Sequence, residues 1–185
     1  RLVDETGTVI NDYKQITDPV SDIQMNPDYA KGKTNEDNYF KKSGCLLSTL
    51  ANIFSFHGDE DIKTPDDIDR YVDTNKLWIT GTAEINPKNV VESVEGYSFN
   101  EKKDFNEFNS IIQNNLKDNQ PTIVHYDRGH FSLVAGVRYN ASGVITDYLM
   151  HDPGTTQSSG KYLPVKTLYS NRWNSCVDKL YWIIK

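Results

Sequence analysis

The sequence has few cysteines, no long apolar segment and no excess of positive charge. Its 185 residues include two cysteines, Cys45 and Cys176, too few for a framework of disulfides. No apolar run approaches the ~20 residues of a transmembrane helix, and the mean hydropathy is −0.64, so we expect no membrane insertion. The net charge of −6, from 20 basic and 26 acidic residues, argues against nucleic-acid binding, which needs a clustered basic surface.

The chain nevertheless has the material for one globular domain. A chain of this length buries roughly 70% of its unfolded surface without needing disulfides or metals. An aromatic content of 11% argues against disorder. We therefore expect a single, monomeric domain over residues 1–185, in which residues 1–22 could form an extended arm. The chain begins at Arg1 rather than Met, as expected of a processed protein or an excised domain.

Helices are predicted in the part of the chain before Pro121. The first is apolar on more than one face (CLLSTLANIFSFH), which indicates a buried helix that ends at Gly58. In the second helix, Thr64 suits the N-cap and Pro65 the first helical position. In the third, Asn86 and Pro87 suit the same two positions. The fourth has apolar residues at helical spacing. The first, second and fourth helices are predicted over residues 45–57, 65–75 and 104–117.

Strands dominate after Pro121. The β-rich runs are PTIVHY, HFSLVAGVRY, GVITDYLMHDP, KYLPV and VDKLYWIIK, separated by Gly, Asn and Asp. Residues 140–143 (NASG) suit a hairpin turn between the second and third of these strands, and a further short strand is expected at residues 8–10. Helices followed by strands predict an α+β fold, with the helices packed on one antiparallel sheet.

Cys45 is the first candidate for chemistry. It lies directly after Gly44, in the first turn of the predicted buried helix. The free N–H groups and the positive dipole end of a helix N-terminus favour a thiolate over a thiol. A free cysteine is more often a small buried apolar residue, so position alone leaves both interpretations open.

His130 and Asp152 favour the catalytic interpretation. His130 begins a strand after a turn, and Asp152 follows the end of the next strand. If these strands form a hairpin, the beginning of one lies beside the end of the other. A carboxylate in that position could orient the imidazole and stabilise its cation.

A nucleophile at a helix N-terminus, with a base and its orienting carboxylate on adjacent strands, is the arrangement of papain-like cysteine peptidases. The chain resembles the bacterial double-glycine (bacteriocin-leader) peptidase-like branch of these enzymes. The similar segments are residues 24–30 (QMNPDYA), 43–45 (SGC), 120–124 (QPTIV), 129–137 (GHFSLVAGV) and 152–154 (DPG). The resemblance rests on the order and spacing of these segments over residues 24–154.

The resemblance implies a papain-like fold and an assignment of roles. Cys45 would be the nucleophile, His130 the general base and acid, and Asp152 the orienting residue. The side-chain amide of Gln24, with the Cys45 backbone N–H, would form the oxyanion hole, although Gln15 also precedes the cysteine. The chain departs from the family in having Leu46 where members often have Gly. No cofactor is implied, and the expected substrate is a peptide, a protein or a peptidoglycan peptide.

Two other functions stay open. One is a cell-wall amidase or endopeptidase of the CHAP type, which uses a similar Cys/His pair but usually has Glu or Asn as the orienting residue; the DPG segment favours the first interpretation. The other is a non-catalytic binding module that keeps the fold. An acidic composition rich in Asn, Asp and Tyr is typical of an exported bacterial protein, so we expect an extracellular or cell-surface location.

The remaining histidines and cysteine have simpler explanations. His57 suits a helix C-terminus, His125 lies on a strand in the core or the cleft, and His151 alternates away from Asp152. No CxxC or HExxH spacing indicates a zinc site. Cys176 is expected to be structural. Tyr126 and Trp173 are expected either to line a peptide cleft or to pack in the core or on the surface.

Overall fold

The computed structural model describes residues 2–3, 9–10, 44–79, 84–118, 120–154, 160–166 and 176–185. These residues form helices and antiparallel strands in an α+β arrangement. The helices are α1 (Cys45–Phe56), α2 (Pro65–Thr74), α3 (Pro87–Ser93) and α4 (Phe108–Lys117), the last preceded by a 3₁₀ turn at Phe105–Glu107. The strands are β1 (Leu2–Val3), β2 (Val9–Ile10), β3 (Ser98–Lys102), β4 (Thr122–Tyr126), β5 (His130–Tyr139), β6 (Ile145–His151), β7 (Lys161–Pro164) and β8 (Val177–Ile184).

The ends of the helices follow the local chemistry of the sequence. The Thr64 hydroxyl accepts the Asp67 N–H at 3.1 Å, and the Asp67 carboxylate accepts the Thr64 N–H at 2.9 Å, so α2 begins with a complete capping box. Asn86 caps α3 through its side-chain oxygen, which accepts the N–H of Lys88 at 3.0 Å. The predicted starts of α2 and α3 are therefore confirmed.

The main sheet has six strands in the order β3-β8-β4-β5-β6-β7, and every neighbouring pair is antiparallel. β4, β5, β6 and β7 follow one another in sequence, whereas the C-terminal strand β8 inserts between β3 and β4. In the β5–β6 hairpin Leu133 is paired with His151, and the turn at 140–143 has Gly143 at φ 77°. The hairpin that the sequence predicts is therefore present.

Helices cover both faces of this sheet. α1, α2 and α3 pack on the face that presents Ile123, Leu133 and Tyr181, and α1 is the most buried of them. α4 packs on the opposite face, with Phe108 and Ile112 against residues such as Val124 and Leu180. The α+β class is confirmed. Ile123 and Val124 are neighbours on β4, so their side chains point to opposite faces, and α4 therefore lies on the other side of the sheet from the first three helices.

One short strand was not predicted from the sequence, and another was. Ser98–Lys102 forms the edge strand β3, although its run of polar and apolar residues was not predicted as a strand. The short strand expected at residues 8–10 is observed as β2, where Val9 pairs with Val3 of β1. None of the helices described has the length and apolar character needed to cross a membrane.

Candidate active site

Cys45 is the first residue of α1, as predicted. The preceding residue, Gly44, provides no side-chain cap, and the first backbone N–H with a helical acceptor is that of Ser48, which donates to Gly44 O at 3.0 Å. The N–H groups of the first turn before Ser48 have no acceptor within the helix. The Cys45 side chain is nearly buried, and its Sγ lies 3.9 Å from the carbonyl oxygen of Gly129. Cys45 thus lies where a helix end meets the β4–β5 turn.

His130 is placed by that tight turn. Gly129 has φ 88° and donates its N–H to Tyr126 O at 2.8 Å, so the chain reverses in three residues and His130 pairs directly with Tyr126. A positive φ of this size is accessible to glycine at little cost. The Tyr126 ring stacks near the His130 imidazole, with 6.0 Å between the ring centroids. His130 is therefore held at the mouth of β5 with only 7% of its surface exposed.

Asp152 meets His130 from the next strand. It follows His151, the last residue of β6, whose pairing with Leu133 places the end of β6 beside the beginning of β5. The Asp152 Oδ1 atom lies 2.7 Å from Nε2 of His130. A carboxylate can only accept a hydrogen bond, so this contact fixes the proton on Nε2.

The pKa of His130 is shifted strongly by its neighbours. Burial alone would lower the pKa, but hydrogen bonds to Asp152 and Cys45, and the negative charges that these two groups can carry, outweigh it and raise the pKa to about 9. This shift favours the protonated, cationic form of the ring. Since Nε2 donates to Asp152, the nitrogen left for the hydrogen bond with the Cys45 side chain is Nδ1.

The other histidines have contacts away from this group. His57 is the C-cap of α1, and its Nε2 lies 3.3 Å from Ile183 O; burial lowers its pKa. His125 lies 2.5 Å from Asp178 through Nδ1 and packs on the Phe131 ring. His151 is buried at the end of β6.

Tyr126 is buried in the structure and Cys176 is exposed. Tyr126 is buried in the core on the α4 face of the sheet, one of the places expected for it, and burial together with the charge of Asp152 raises its pKa. Cys176 is an exposed free cysteine whose backbone binds Asp127, through N–H to Oδ1 at 3.2 Å and through its carbonyl oxygen to the Asp127 N–H at 2.9 Å. Across the described ranges, no cluster of His, Cys, Asp and Glu could hold a metal ion.

Several predicted residues cannot be placed. Gln24, Gln15 and Trp173 lie outside the described residues, so the oxyanion role of Gln24 stays a prediction.

Leu46, the departure from the family pattern, is buried in the core on the α1 face of the sheet. The sequence did not single out Gly154, whose N–H donates to Asp152 Oδ1 at 2.8 Å. Its position two residues after Asp152, within the DPG segment, was the available signal.

Comparison with known proteins identifies the family. Residues 13–180 match the Peptidase C39-like family. The chain belongs to this family. Membership supports a cysteine-peptidase function and agrees with the resemblance seen in the sequence. The helices and the antiparallel six-stranded sheet agree with the α+β class that the sequence predicts.

Comparisons with individual proteins and solved structures give only distant similarity. No curated protein is significantly similar to this chain. Among solved structures, the C39-like chain is similar to a double-glycine-motif protease from an AMS/PCAT transporter, crystallised in complex with the leader peptide. The TM-score is 0.40 and the identity 12%, over 76% of this chain and 84% of that one.

Proposed function

We propose that this chain is a thiol hydrolase that cleaves a peptide bond through an acyl-enzyme. Cys45 is the nucleophile, His130 the proton carrier and Asp152 the residue that orients it. The observation that carries the proposal is the continuous contact from Asp152 through the His130 ring to the Cys45 side chain, at the N-terminus of a buried helix. The C39-like family to which the chain belongs is consistent with this chemistry.

The charges of the three groups suit nucleophilic attack at neutral pH. An imidazolium beside the sulfur favours the thiolate, which is the reactive form of cysteine. Asp152 keeps the proton on Nε2 and compensates the positive charge of the ring. Because His130 is nearly buried, little water screens these interactions.

The reaction proceeds in two stages. The Cys45 thiolate attacks the carbonyl carbon of the scissile bond, and His130 transfers its Nδ1 proton to the leaving amine as the C–N bond breaks. The product is a thioester between Cys45 and the acyl part of the substrate, together with a free amine. Neutral His130 then takes one proton from water, whose oxygen attacks the thioester carbon. The C–S bond breaks to give the Cys45 thiolate and a carboxylic acid, which loses its proton to solvent.

The negative oxygen of each tetrahedral intermediate needs donors. The Cys45 backbone N–H, which precedes the first hydrogen bond of α1, is one donor. We assign the second to the side-chain amide of Gln24, on the family resemblance of residues 24–30. The substrate is a peptide or a peptide portion of a larger molecule.

The test uses a mixture of peptides of varied sequence, with peptidoglycan stem peptides in a parallel reaction. Wild type, Cys45→Ala and Cys176→Ala proteins are incubated with each, and new N-termini are identified by mass spectrometry. We expect cleavage of peptides by wild type and Cys176→Ala, and none by Cys45→Ala. Cleavage confined to peptidoglycan peptides would favour the CHAP-type amidase, and cleavage that persists in Cys45→Ala would contradict the proposal.

A further inference from the structure

Gly154 is hydrogen-bonded to Asp152 and lies beside the ring of His130. Its backbone N–H donates to Asp152 Oδ1 at 2.8 Å, and that same oxygen lies 2.7 Å from His130 Nε2. One carboxylate oxygen therefore receives two donors from different directions. These contacts restrict rotation of the Asp152 side chain, since turning the carboxylate breaks both hydrogen bonds.

The absence of a side chain at Gly154 is equally important. A Cβ atom there would lie 3.0 Å from His130 Cε1, 3.2 Å from Asp152 Oδ1 and 3.4 Å from His130 Nε2. His130 cannot move aside without losing contacts, because its ring is nearly buried beside Tyr126 and hydrogen-bonded to Cys45. Dense packing transmits such a displacement to the bonded neighbours.

The reason for glycine here is space and not backbone conformation. The φ angle of Gly154 lies outside the left-handed region, where L side chains are disfavoured. Gly143, in the β5–β6 turn, is the opposite case: its φ is 77°, and a Cβ would meet nothing within 4 Å. The chain thus offers two glycines required for different reasons, one beside the site and one in a turn between residues 140 and 144.

We propose that Gly154 is a positioning residue, which acts through Asp152 and His130: its N–H fixes the carboxylate and its bare Cα leaves room for the imidazole. The effect of Gly154 on catalysis rests on the proposed function. Its effect on the orientation and the pKa of His130 does not, because both can be measured without a substrate.

The test compares Gly154→Ala with Gly143→Ala. For each protein we would measure the His130 titration by NMR, the alkylation rate of Cys45 at pH 6.5, and the cleavage of a peptide found to be a substrate. In Gly154→Ala we expect the His130 pKa to fall from about 9 towards 6.5. The alkylation rate of Cys45 and kcat should drop about tenfold or more, because small displacements of catalytic groups cause losses of this size. Gly143→Ala should lower stability and leave all three readouts as in wild type.

The outcomes separate this inference from the proposed function. If folded Gly154→Ala has the same His130 titration and the same Cys45 alkylation rate as wild type, the positioning role is overturned, even where wild type proves to be a peptidase. A lowered His130 pKa and slower alkylation in Gly154→Ala would support it, even if wild type cleaves no peptide tested. Equal losses in Gly143→Ala would assign the effect to general destabilisation and overturn the inference.

A measurement on wild type covers the case in which Gly154→Ala does not fold. The Gly154 amide proton, bonded to Asp152 Oδ1, should shift with pH along the same titration as the His130 ring. In Asp152→Asn that coupled shift should vanish. An amide proton that stays constant while His130 titrates would overturn the proposal.

Discussion

The Nε2 atom of His130 lies 2.7 Å from Oδ1 of Asp152, although the two residues are 22 positions apart, one at the start of β5 and the other directly after β6. The β5–β6 hairpin brings the beginning of one strand to the end of the other and so makes this contact. The consequence is electrostatic, because the carboxylate favours a cationic ring beside Cys45.

The charge of His130 should depend on both of its partners. The Asp152→Asn substitution removes a charged acceptor, and Cys45→Ala removes the second hydrogen bond. Each should lower the pKa of His130 from about 9, since burial then opposes the charged ring with less compensation. NMR titration of the ring Cε1 proton measures this, with His130→Gln to assign the signal. A His130 pKa that does not fall in Asp152→Asn would contradict the geometry.

The pH dependence of peptide cleavage should reflect the same group. As pH rises through about 9, His130 loses the proton that it must give to the leaving amine, so the acylation rate should decrease there. In Asp152→Asn the decrease should begin at lower pH, because the His130 pKa is lower. Single-turnover acylation rates between pH 5 and 10 measure the effect. An alkaline limb that does not move in this variant would argue that another group causes it.

Gln24→Ala tests the proposed oxyanion donor. The substitution removes neither the nucleophile nor the base, so stability and Cys45 alkylation should remain close to wild type. Turnover should fall by about 10²–10³, the usual effect of losing one oxyanion donor. Gln15→Ala is the matched control and should retain wild-type turnover. Full activity in Gln24→Ala would remove it from the site and leave the three other assignments intact.

Thr64→Ala tests the fold without affecting the site. The Thr64 hydroxyl accepts the N–H of Asp67, and removing it should lower the free energy of unfolding by about 1 kcal/mol. Denaturant unfolding measures this loss, while Cys45 alkylation should not change. A stability equal to wild type would mean that the cap contributes little to α2.

Local chemistry made much of this fold predictable. Thr64, Pro65 and Asp67 specify the start of α2 through contacts within a few residues, and alternation with a Gly-containing turn specifies the β5–β6 hairpin. The contact of His130 with Asp152 followed from that hairpin, because antiparallel pairing places the start of β5 beside the end of β6.

Long-range pairing was not predictable in the same way. Ser98–Lys102 is a strand because it pairs with β8 at the other end of the chain, and nothing in its own five residues requires this. The place of α4 on the opposite face likewise depends on which side of the sheet the connection passes. The packing of Gly154 against His130 is a matter of tenths of an ångström, which sequence patterns do not encode.

The central claim is that Cys45 is an activated nucleophile, and the two free cysteines allow a direct test. Cys176 is exposed, whereas Cys45 is 8% exposed, so access alone would make Cys176 the faster to react. Activation by His130 predicts the reverse at low pH, where a thiol without a cationic partner is mostly protonated.

The decisive measurement is the alkylation rate of each cysteine by iodoacetamide between pH 5 and 9, followed by peptide mapping. At pH 6, Cys45 should react faster than Cys176 in wild type, and His130→Ala should remove this advantage by slowing Cys45 alone. Equal rates, or faster reaction of Cys176 at pH 6 in the folded wild-type protein, would contradict the assignment of Cys45 as the catalytic thiol.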